Sequence, residues 1–273
     1  MSTQTDTGTR PAIAPAAGAG AAFRSAVAAE WTKLSSVRST WWTALAGLLV
    51  MAASAGQLAI YAANGNTNDD PADDAGVVTV GSVLIDSVEL TQYVVLALGL
   101  LAITAEFTSG TIRTTLQCTP SRGRVLLAKA AVAGAVTFAL GLLLGGVGVL
   151  VARPVLGEWG SAPVIDTIGD IVAVATYLAL IGVLALGLGA ALRSAVLTIV
   201  VLLATLMIVP LSLQEPDIEV LNRIADVFPG VAGGHFLAGD TEPYPPVVGL
   251  LLLAGWAAAA LLLGRAALRR RDA

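Results

Sequence analysis

Six long apolar segments, at about residues 41–63, 84–104, 125–151, 171–192, 195–213 and 247–263, leave little of this chain to fold in water. An α-helix rises about 1.5 Å per residue, so about 20 such residues cross the roughly 30 Å hydrocarbon core of a bilayer. The second segment is the weakest, because Asp86, Glu89 and Gln92 fall in its first third. The others are unbroken apart from Lys129 near the start of the third. With 56% hydrophobic and 12% charged residues, the composition agrees with the segment count. The sequence predicts an all-α membrane protein with six transmembrane helices.

Orientation follows from the positive-inside rule. In a six-span arrangement Arg10, Arg24, Lys33, Arg38, Arg113, Arg122, Arg124, Lys129, Arg193, Arg265, Arg269, Arg270 and Arg271 lie on one side, and only Arg153 and Arg223 on the other. Both termini are therefore expected in the cytoplasm, which an even number of spans requires. Most carboxylates, from Asp69 to Glu242, fall on the opposite side.

The remaining parts take their character from local composition. Residues 1–22 are rich in Ala, Thr, Gly and Pro and read as a disordered cytoplasmic tail. Over 23–40, Phe23, Val27, Trp31 and Leu34 recur at helical spacing, as expected of an amphipathic helix lying on the membrane or packed on its own protein. The six-span domain runs over 41–267, and 268–273 form a basic cytoplasmic tail. In the last outer connection, 214–246, a helical stretch at 220–228 precedes Pro229-Gly230 and an apolar run at 231–237, a composition suited to re-entry.

Several chemistries are excluded at this level. Lys33 and Lys129 are the two lysines of the chain, and neither sits in the Gly-Lys-Ser/Thr setting of a P-loop. Nucleotide-driven work must come from another chain. The single cysteine, Cys118, and the single histidine, His235, exclude an internal disulfide framework and a His/Cys metal cluster. A net charge of −4 argues against nucleic-acid binding. An intramembrane hydrolase would need a facing nucleophile and base at membrane depth, and no span carries a histidine or a mid-membrane carboxylate. No catalytic residue is assigned.

The polar loop after the second span is the most informative segment. The span ends near Glu106, Gly110 allows a change of direction, and Ile112 and Leu116 lie four apart on one face of a short helix that Pro120 closes. Spacing alone leaves two readings open, a helix that docks on a partner and one that lies on lipid headgroups.

Glu106-Phe-x-Ser-Gly-x-Ile-Arg-x-Thr-Leu116, followed by Pro120, Arg122 and Leu126-x-Ala-Lys129, resembles the first cytoplasmic loop of ABC-2 type transporter permeases, especially actinobacterial ones. Glu30-Trp-Thr-Lys-Leu-x-Ser-Val-Arg-Ser-Thr-Trp-Trp42 is similar to the family's opening, and Gly255-Trp256 with the ending Leu268-Arg-Arg-Arg-Asp-Ala273 to its close. Phe107 stands where tyrosine is frequent, and Gln117-Cys118 where small residues are common. The resemblance implies the permease subunit of an exporter in a bacterial cytoplasmic membrane, partnered by a separate P-loop ATPase and a second permease subunit. ATP and Mg would be bound by the ATPase, with no cofactor on this chain. Glu106, Gly110, Ile112, Arg113, Leu116, Pro120 and Arg122 would belong to the loop that couples to it. A non-transporting scaffold or immunity protein is the alternative.

Asp86 and Glu89 share one helix face at the outer end of the second span, and read either as pathway carboxylates or as headgroup-level residues. Gly141 and Gly145 form a Gly-x-x-x-Gly pair suited to close helix packing. His235 and Cys118 read as ordinary polar and packing residues.

Overall fold

The computed structural model describes residues 19–68, 76–111 and 122–270. Helix α1 spans Ala19–Ser36, and α2 (Arg38–Gly65), α3 (Val80–Ser109), α4 (Arg122–Leu156) and α5 (Val164–Leu192) follow. Helix α6 occupies Ala195–Gln214, with a π turn at Ala204–Ile208. The short α7 (Glu219–Ala225) and α8 (Pro229–Ala238) precede α9 (Pro246–Arg270). Among the described residues, α2, α3, α4, α5, α6 and α9 are the six helices long and apolar enough to cross a membrane. The fold class is therefore all-α with six candidate spans. The described strands are two residues each, Val78–Thr79 and Gly160–Ser161, paired in parallel between loops at one end.

Helix α5 is the hub, with its most extensive contacts to α9, α4 and α3. Its buried residues include Val174, Tyr177, Leu178, Ile181 and Leu184, packed with Met51, Leu84, Val95 and Leu144 of the surrounding helices. Lipid tails are as apolar as these side chains, so helix association depends on close packing. Gly99 of α3 and Gly182 of α5 provide it, since a Cβ on Gly99 would lie 2.2 Å from the Gly182 carbonyl oxygen. Gly141 and Gly145 of α4 likewise face Ala175 and Ile171 of α5, so the Gly-x-x-x-Gly pair forms part of this contact.

Element ends differ from expectation in a consistent direction. Helix α3 begins at Val80, where the Thr79 hydroxyl accepts from the Ser82 N–H, and runs on to Ser109 instead of stopping near 104. Helix α9 carries 268–270, expected as tail, and α1 begins at Ala19, inside the expected tail. Backbone hydrogen bonding continues past the point where apolarity stops, and hydropathy marks only the latter. The expected 23–40 helix is divided by extended Val37 (φ −84°, ψ 120°), so 38–40 belong to the first span. Within α1, Phe23, Val27 and Leu34 are half-buried while Trp31 is 55% exposed. The segment expected to re-enter forms α7 and α8, and α8 packs on α9, with Gly233 against the Tyr177 ring of α5.

Candidate functional site

Glu30 and Lys33 are three residues apart on α1 and so share one face. That face turns toward the ends of α3 and α4, because α1 packs along α4. Glu106 lies one turn before the end of α3, and Lys129 lies two turns into α4. The four side chains meet in a closed ring of alternating charge. Lys33 Nζ donates to Glu30 Oε1 at 3.0 Å and to Glu106 Oε1 at 3.0 Å. Lys129 Nζ donates to Glu106 Oε1 at 3.0 Å and also to Glu30 Oε2.

Burial is uneven around the ring. Side-chain exposure is 4% for Lys129, 6% for Glu30 and 12% for Glu106, against 43% for Lys33. Burying unpaired charge is costly, and mutual pairing is what makes three buried ionic groups tolerable here. Burial alone would lower the Lys33 pKa. The hydrogen bonds and charges of Glu30 and Glu106 outweigh it, so its ammonium is held above the usual lysine range. One polar atom of the ring has no hydrogen-bond partner: Glu106 Oε2, which is buried.

The ring has a defined place in the chain. Glu106 and Lys129 stand at the two ends of the segment between them, and their bond closes its neck. Gly110, with φ 73°, ends α3 in the left-handed conformation and donates its N–H to Phe107 O at 3.3 Å. The Arg193 guanidinium sits 5.2 Å from the Phe107 ring centre and donates to Ala267 O, joining the ends of α3, α5 and α9. Ile112, Arg113, Leu116 and Pro120 lie outside the described residues. Arg122 is the first residue of α4.

Of the residues singled out from sequence, Glu106 and Gly110 thus sit at this neck. Asp86 and Glu89 are elsewhere, on an exposed face of α3. Glu30, Lys33 and Lys129 were missed as site residues. The available signal was that both lysines of the chain fall within the motifs that also supply Glu30 and Glu106.

At the opposite end, His235 Nε2 lies 3.7 Å from Asp226 Oδ1, and its ring meets Tyr244 edge-on at 5.2 Å. Tyr244 donates to Asp226 O at 2.5 Å. Burial, and then the Asp226 charge, push this phenol up to about 12, so it remains a hydrogen-bond donor through the neutral range. Trp256 Nε1 donates to Val227 O at 2.9 Å, and its ring stacks on Phe228. These contacts pin α7 and α8 to α9. No family model matches the chain, and no curated protein matches it.

Proposed function

We propose that this chain is the membrane-spanning permease subunit of an ATP-driven exporter, energised by a separate ATPase chain. The observation that carries this reading is the buried ionic ring, which clamps the neck of the 107–128 segment and ties it to α1. A loop that only capped two spans has no need of buried charge. A loop that receives force from a partner needs a rigid base, and two helix ends joined through α1 provide one. The resemblance of the motifs at 30–42 and 106–129 to ABC-2 type permeases supports the same reading.

In this reading the subunit performs no covalent chemistry. Two permease subunits, identical or related, enclose the pathway, and two ATPase chains dock on the 107–120 loops. ATP binding favours one packing of the halves and hydrolysis the other. The chain sits in a bacterial cytoplasmic membrane with both termini inside.

Ile112 and Leu116 supply the apolar grip, worth roughly 1.5–3 kcal/mol per buried side chain, whereas a surface arginine pair contributes about 1 kcal/mol at most. Ile112→Asp with Leu116→Asp is expected to leave membrane insertion intact and to abolish both co-purification of the ATPase and ATP-driven transport in vesicles. Arg113→Ala weakens coupling less. Normal binding and transport by the double variant would exclude the coupling role.

The orientation has its own test. Asn68→Cys, Ser161→Cys and Asp240→Cys, each in a Cys118→Ser background, are expected to react with an impermeant thiol reagent in intact cells, and Ser121→Cys is not. The reverse pattern inverts the topology.

A further inference from the structure

Helices α4 and α9 both pack closely on α5 and touch each other much less, which leaves a seam between them. At the end of the bundle that carries the ionic ring, Leu126 and Leu268 fill the floor of this seam against Leu186 and Ala190 of α5. Arg265 of α9 turns toward α4 there, and a Cβ on Gly123 would lie 3.0 Å from its Nε and 3.4 Å from its Cζ. Arg124 is the next residue of α4, and Arg269 follows Arg265 by four residues on the same face of α9. We propose that this end of the seam binds an anionic phospholipid, with the phosphate held by Arg124, Arg265 and Arg269.

The charge balance at this end calls for an anion. Among the described residues here, Glu30 and Glu106 are the carboxylates, and Lys33 and Lys129 take up both. Arg124, Arg265 and Arg269 have no ion-pair partner among the described residues. A guanidinium meets phosphate oxygens with a planar fork of N–H donors, and one already seated against a helix loses less freedom in doing so. With no carboxylate left to receive a headgroup amine, a zwitterionic lipid gains nothing from its positive group.

Position selects a lipid over a protein. Arg124 shares a face of α4 with the exposed Leu127, and Arg265 shares a face of α9 with the exposed Leu262. Each arginine therefore stands one turn beyond a leucine that faces outward from the bundle. An acyl chain lying along these leucines ends in a headgroup at the level of the arginines, whereas an acidic protein surface would leave the leucines uncovered. Basic clusters between the ends of spans are suited to anionic headgroups. The inference rests on the six-span fold and is independent of the transport reading.

The test uses the purified full-length chain in mild detergent, exchanged against equal amounts of phosphatidylglycerol, phosphatidylcholine and phosphatidylethanolamine of matched acyl chains. Lipids retained per protein are counted by native mass spectrometry. Each arginine near an anionic headgroup is worth about fivefold, so Arg124→Gln with Arg265→Gln is expected to lower the preference for phosphatidylglycerol by about 30-fold. Arg269→Gln, at an exposed position near the end of α9, lowers it by about fivefold and leaves circular dichroism and thermal midpoint unchanged. Arg24→Gln with Arg38→Gln removes the same charge from exposed positions on α1 and α2, and is expected to leave the preference intact. Equal retention of the three lipids by the unaltered chain would overturn the proposal, and retention of a hexaglutamate peptide in their place would assign the patch to an acidic protein. Equal losses in the two double variants would show that only the total charge of this end matters, and an Arg269→Gln chain that keeps the full preference would also overturn the site.

Discussion

Lys129→Met is expected to lower stability by about 3–5 kcal/mol, read as a shift in equilibrium unfolding by denaturing detergent. The loss comes less from the missing attraction than from what remains, since Glu30 and Glu106 stay buried with one partner where they had two. Lys33→Met also leaves both carboxylates with one partner, but should cost less than Lys129→Met, because water can replace the donor lost at a 43% exposed position. The ring geometry adds a sharper expectation. For an isolated ion pair, exchanging the partners restores the attraction. Here Glu106→Lys with Lys129→Glu places a carboxylate against Glu30 and an ammonium against Lys33, so the exchange should be at least as harmful as Lys129→Met. Recovery of wild-type stability by the exchange would mean that Glu106 and Lys129 form a simple pair and that α1 is not part of the clamp.

Gly99→Ala should be among the most damaging single-methyl changes in the bundle. Its Cβ would lie 2.2 Å from the Gly182 oxygen and 2.9 Å from the Gly182 Cα, and both belong to backbone that cannot swing aside. Helices α3 and α5 must separate, which loosens the contacts of Val95 and Ile181 nearby. Overpacking of this kind costs about 1–3 kcal/mol and more where the obstacle is rigid. Gly146→Ala is the matched control, because nothing stands within 4 Å of its Cβ position. Helix propensity then favours the variant by up to about 1 kcal/mol. Equal unfolding midpoints for the two variants would show that the α3–α5 approach is looser than its geometry.

The six spans were legible because each is an apolar run close to the length a bilayer requires, a property that needs no neighbour to interpret. The helix break at Gly110 was legible for a similar reason, since it depends on one residue's backbone freedom. Lys129 was read as an interruption of its span, and Glu30 as part of an opening motif, because 99 residues separate them and no local period relates the two. Pairing across that distance becomes visible only when α1 lies along α4. The division at Val37 was hidden as well, as the segment contains neither proline nor glycine and its residues fit a helix on either side. Glycine spacing gave a weak signal at 141 and 145 and none at 99 and 182, yet all four lie where α5 meets its neighbours.

The π turn in α6 keeps a helical stripe in phase. Thr198, Leu202, Leu206 and Pro210 are buried at uniform steps of four. In a regular α-helix four residues overshoot a full turn by about 40°, so three steps would rotate the last of them by about 120° from the first. The wider π turn at 204–208 holds one residue more per turn and cancels much of that drift. Pro210 has no N–H to offer the Leu206 carbonyl four residues earlier, and that carbonyl is the atom that leaves no room for a Cβ on Gly230 of α8. Deleting one residue from 204–208 would restore regular winding and swing Pro210 off this line. The fifth span thus tolerates changes of side chain more readily than changes of length.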